Sequence, residues 1–108
     1  MEELDDKQWD ELRQLHELAS LADMEADAAL YSGSLDDARA AIEAVVTATE
    51  ALNLPDGLTR DLQGMALDAL KAADGEDNAQ NRAALAMYSV DRIEQLIESR
   101  FASGGRRL

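Results

Sequence analysis

The chain has 108 residues, 46% of them apolar, with a formal net charge of −13 and no cysteine. That length supports one domain with one modest core, and the apolar share argues against a wholly disordered chain. Such acidity excludes a basic nucleic-acid-binding face, and the missing cysteines exclude disulfides, thiolate metal sites and thiol catalysis.

Aromatic residues make up only 4% and alanine dominates, so helices with close-packed faces are expected and strand-type alternation is missing. The first helix is predicted from about Asp6 to Tyr31. Leu12, Leu15, Ala19, Ala22, Ala26 and Ala29 recur at spacings of three and four, which is one helical face. Leu18, Leu21 and Met24 widen it. Acids in the first turns suit the positive end of the helix dipole, and Gly33 is placed to stop the helix.

The second helix is predicted from Ser34 to about Leu52. Ser34 is the cap candidate, with Asp37 bonding back from three residues on. Its buried face is Leu35, Ala38, Ile42, Val45, Thr49 and Leu52, and Asn53 and Pro55 end it. The third helix starts at Asp56, a cap candidate, and ends near Ala73, with Leu58, Leu62, Met65, Ala66, Ala69, Leu70 and Ala73 as its stripe. Gly64 falls inside it and reads as an imperfection on a mostly polar face beside Asp61 and Asp68. The fourth starts near Asp77 or Asn78 and runs to about Ala102 on Ala83, Ala86, Met87, Val90, Ile93, Ile97 and Phe101. Short connections favour antiparallel neighbours, so the expected fold is an all-α antiparallel four-helix bundle, or two stacked helical hairpins. Residues 1–102 form one domain, and 103–108 (SGGRRL) a flexible basic tail.

The turn between the first two helices invites a family comparison. Gly33, Leu35, Ala38 and Ile42, with Ala26 upstream, resemble the turn and second helix of a tetratricopeptide repeat. The likeness covers about half of one repeat and does not recur at the later turn, LKAADGEDNAQ. Tyr31-Ser32-Gly33 is also similar to the Trp-x-Gly turn of small secreted helical hairpins, although a Tyr and four helices depart from that pattern. The tetratricopeptide resemblance implies an adaptor.

Charge is distributed unevenly. Residues 1–37 hold twelve acids against two bases, a net of −10, whereas the remaining residues carry −3. An acidic helix repels nucleic acid and anionic membrane and attracts basic surfaces. Its carboxylates can stand where nucleic-acid phosphates would otherwise sit. Asp6, Asp10, Glu17, Asp23 and Asp27 lie mainly off the apolar stripe. With Trp9 and Arg13 they are the candidate partner-binding residues. Trp9 is a hot-spot anchor if exposed and core if it packs over the bundle end.

His16, the only histidine, lacks a second His four residues away, and no Glu-x-x-His pair occurs. No catalytic, cofactor-binding or metal site is therefore expected. The expectation is a small acidic non-enzymatic protein that inhibits or regulates a basic partner through its acidic first helix, nucleic-acid-binding proteins being one kind of such partner. Anti-CRISPR proteins and other phage or bacterial inhibitors are often of this physical type, a likeness of bulk properties and not of motif. The alternative is an adaptor or homodimeric module whose acidity serves solubility or salt adaptation, with Leu18, Leu21, Met24 and Leu67 as exposed apolar candidates. No direct nucleic-acid or membrane binding is expected. The opening MEELDDKQWDEL has no secretory character, which suggests a soluble cytoplasmic protein.

Overall fold

The computed structural model describes residues 3–108; Met1 and Glu2, the first residues of the expected domain, lie outside it. Four helices follow one another: α1 (Asp6–Ser32), α2 (Asp36–Glu50), α3 (Asp56–Ala73) and α4 (Ala79–Ser103). No strand occurs among the described residues. No helix is long and apolar enough to cross a membrane.

Local chemistry sets the ends. Asp5 caps α1, accepting from the Gln8 backbone N–H at 2.8 Å, while the Gln8 side chain accepts from the Asp5 backbone N–H at 3.0 Å. This reciprocal box satisfies two of the N–H groups that a helix start leaves free. At the other end Gly33 takes φ 73, a left-handed conformation that costs glycine little, and its N–H returns to the Ala29 carbonyl. The expected cap on α2 is corrected. Leu35 occupies the cap position without a side-chain bond, and Ser34 lies exposed in the turn. Asp36 and Asp37 still place acid in the first turn, where the helix dipole favours it. Asp56 is the first residue of α3, behind Pro55, and does not act as its cap. Asn78 caps α4 through the Asn81 backbone N–H.

The helices form a closed ring. α1 packs on α2 and α4, and α3 packs on α2 and α4. The pairing of α1 with α4 is antiparallel: Trp9 meets Phe101, His16 meets Glu98 and Ser20 meets Glu94, so partner numbers fall as α1 advances. The return of α4 to α1 distinguishes this arrangement from a solenoid, in which each repeat touches only its neighbours. The turn at Gly33 thus joins two helices of a closed bundle. A 27-residue helix is about 40 Å long, and the longest dimension of the molecule is 42 Å.

The six residues of the predicted α1 stripe are all buried. So are Ile42, Val45, Leu62, Val90, Ile93, Ile97 and Phe101, which meet along the axis. Leu52, Met65, Leu70 and Met87 are only partly buried at its margin. Val46 is buried although the stripe of α2 was drawn without it. Toward the Gly33 end the core narrows to Ala26, Ala29, Leu35, Ala38 and Ala83. Small residues there let helix backbones approach closely but bury little area each.

Arginines close this end. Arg39 reaches from α2 to Asp74 at 2.5 and 3.0 Å and pairs with Glu43. Its hydrogen bond holds the Asp74 carboxyl below the usual carboxylate range. Arg82 donates to the Ala73 carbonyl at the end of α3.

Two substitutions check this core. Leu62, fully buried, is expected to cost about 2–5 kcal/mol on replacement by Ala, read by denaturant unfolding. A Cβ at Gly64 would meet nothing within 4 Å. Gly64→Ala is therefore expected to stabilise by about 0.5–1 kcal/mol, and a loss of stability would show a packing role for that glycine.

Candidate functional site

The candidate partner-binding residues of α1 divide into two groups. Asp6, Trp9, Asp10 and Arg13 lie where the start of α1 meets the end of α4. Trp9 is 8% exposed, its ring edge-on to Phe101 with centroids 4.8 Å apart. It is therefore a core residue and not an exposed anchor, because its place in the helix turns it inward over the end of the bundle. Arg13 pairs with Asp10 at 3.0 Å, and its guanidinium lies 5.2 Å from the Phe101 ring centroid. Asp6 is paired with Arg106 at 3.0 Å. Two of the candidate acids are thus already matched by arginine.

The second group lies midway along the molecule, on the outer edge of the α1–α4 contact. α1 contributes His16, Ser20, Asp23, Met24 and Asp27. From α4 come Met87, Asp91, Glu94 and Glu98. Ser20, Asp23, Met24, Asp27, Met87 and Glu94 line a shallow groove of about 340 Å3. Met24 is 68% exposed at its edge. Glu17 stands on the exposed surface of α1, in the turn between His16 and Ser20.

Glu94 is central to this seam. Its Oε2 accepts from the Ser20 hydroxyl at 3.0 Å, while its Oε1 is buried without a hydrogen-bond partner. Burial pushes the Glu94 carboxyl up to about 7; the neighbouring Asp23 and Asp91 carboxylates add to the rise, and the Ser20 hydroxyl opposes it. A carboxyl held partly protonated near neutrality can share its proton with an adjacent carboxylate, which reduces repulsion between like charges. His16 Nε2 lies 3.0 Å from Glu98 Oε2.

Two overlapping sets of ligand-type atoms arise here. Those of His16, Glu94 and Glu98 lie within 4.8 Å of one another, as do those of Asp23, Asp91 and Glu94. Sets of this composition can hold a divalent cation, and exposed acidic groups are common without one. Spacing along one helix gives His16 no ligand; the two glutamates come from α4 and become its neighbours only in the folded chain.

Asp91, Glu94 and Glu98 are seam residues that spacing along α1 does not reveal. Their signal was present. With Met87 they recur at spacings of four, three and four, along one flank of the α4 stripe. What pattern alone could not give was which flank of α4 faces α1. No family model, curated protein or solved structure matches the chain.

The raised pKa sets a direction for pH dependence. The folded chain binds the Glu94 proton more tightly than the unfolded chain, whose ordinary value is 4.5. Stability from this group is therefore full below about 4.5 and falls as pH rises through about 7. Glu94→Gln is expected to stabilise the fold at pH 8 by about 1 kcal/mol, a figure already reduced for solvent screening. It should also flatten the melting temperature between pH 5 and 8. An unchanged pH profile would show that another group governs it.

Proposed function

We propose that this protein is a non-enzymatic acidic binding protein that holds a basic protein segment along the α1–α4 seam. By occupying that segment it inhibits or regulates the partner, in the manner of small acidic inhibitors. The observation that carries this reading is the convergence of carboxylates from two helices around Met24 and Met87. Asp23, Asp27, Asp91 and Glu94 gather there, with Glu98 beside Glu94 and His16.

Like charges held together make a concentrated negative field. Such a field speeds encounter with a cationic segment and makes the association salt-dependent. The methionines supply adaptable apolar contact beside the charges, suited to the aliphatic stems of lysine and arginine. A partner that uses the same cations to bind phosphates would be blocked from nucleic acid while held.

The test uses a defined lysine-rich peptide and isothermal titration. Affinity is expected to fall steadily as salt is raised from 50 to 300 mM, values chosen to span about a twofold change in screening length. The triple variant Glu17→Lys, Asp27→Lys, Asp91→Lys keeps the buried groups intact and is expected to lose at least about tenfold in affinity. Unchanged affinity in that variant would sink the proposal.

A second reading has its own observation. Leu21, Met24 and Leu67 are exposed as expected, and Leu85 and Tyr88 join them, whereas Leu18 is partly buried. Apolar surface of this kind supports a homodimeric or adaptor module. Sedimentation separates the two: a dimer unaffected by salt favours self-association, and a monomer at all salt concentrations removes the dimer.

A further inference from the structure

The segment after α4 does not leave the bundle at random. Gly105 adopts φ 69, and the Arg106 N–H closes back onto the Phe101 carbonyl at 2.8 Å. This is the six-to-one bond of a Schellman ending, which turns the chain sharply at a left-handed glycine. The turn directs the chain back over the start of α1. The Arg106 guanidinium meets Asp6 at 3.0 Å and lies 5.1 Å from the Trp9 ring centroid. One residue on, the Arg107 carbonyl accepts from Arg13 Nη2 at 3.1 Å. Beside these contacts an open cleft of about 450 Å3 runs among Leu4, Trp9, Arg100, Gly104 and Arg106.

We propose that this corner is a docking site for an arginine-bearing peptide segment, and that residues 104–108 occupy it in cis as a displaceable strap. The proposal rests on the basic-partner reading and names the side chain that the partner presents. The chain's own Arg106 shows the recognition: a carboxylate for the guanidinium, the indole ring of Trp9 close by, and a donor from Arg13 for the segment's backbone. Arginine suits such a site better than lysine, because its planar group both pairs and stacks.

The strap is built to be exchanged. Asp6 is almost fully exposed and Arg106 is 41% exposed, so their pair is screened and individually weak. Tethering supplies what affinity lacks, since a linked ligand acts at high effective concentration. An incoming segment with several arginines meets the strap as a competitor. It then gains the seam carboxylates farther along α1.

The test titrates a hexa-arginine peptide into the protein at fixed ionic strength, following the fluorescence of Trp9, the only tryptophan. Four proteins are compared. Arg106→Ala with Arg107→Ala removes the strap's cations. Gly105→Val keeps every charge but strains the left-handed turn, in a place where a Cβ would meet nothing within 4 Å. Arg60→Ala with Arg92→Ala makes the same change in net charge on exposed positions elsewhere. The wild-type chain is the reference.

Both strap variants are expected to bind about fivefold tighter than wild type, the gain from freeing a site occupied most of the time. In both, the emission of Trp9 should shift to the red before peptide is added. The Arg60 and Arg92 variant should bind within about twofold of wild type. Equal affinity across all four proteins would overturn the strap while leaving the basic-partner reading intact. Equal gains in both arginine-pair variants, with none in Gly105→Val, would assign the effect to bulk charge and also overturn it. Absence of binding by every protein would overturn both.

Discussion

The closeness of α1 and α4 is the constraint from which the other features follow. Ala19, Ala22, Ala26 and Ala29 on one helix, with Ala83 and Ala86 on the other, leave little side chain between them. Two helices that approach this closely bring their flanking residues together as well. Ser20 therefore reaches Glu94, and His16 reaches Glu98. The elevated Glu94 pKa follows from the same contact, which buries its carboxyl and sets it beside Asp23 and Asp91.

This packing also sets the limits of stability. An alanine removes far less apolar surface from water than a leucine. The Gly33 half of the bundle is consequently thin, and the larger side chains gather toward the other half, around Leu12, Leu15, Leu58, Leu62, Ile93, Ile97 and Phe101. Arg39 and Arg82 bind helix ends together where the core is weakest. Both act at partly exposed positions, and their contribution is of the modest size that exposed pairs provide.

Most of the architecture was legible from spacing alone. Three- and four-residue periodicity located all four helices, and the buried stripes followed the predicted faces apart from Leu52, Met65, Leu70 and Met87 at the margin and Val46 inside. Glycine and proline marked the breaks. The exceptions have physical reasons. Ser34 has the chemistry of a cap, but the chain turns one residue later and leaves it in solvent. Asp5 and Gln8 form a capping box among residues that also read as an acidic run, so the acceptor role of Asp5 is masked by its charge. The site was less legible. An acidic face on α1 could be read from one helix, but a seam needs two, and pairing across the ring is a tertiary fact. Trp9 shows the same limit: its neighbours in sequence are acids, while its neighbours in space are Phe101 and Arg106.

The unpartnered Glu94 oxygen in the seam carries a thermodynamic meaning beyond recognition. Mutual repulsion there is a cost that the folded state bears and the unfolded state largely escapes. A proton bound there lowers that cost and favours the folded form over the unfolded one. Folding and protonation are then linked equilibria. Melting temperature therefore reports how far the seam carboxylates are ionised.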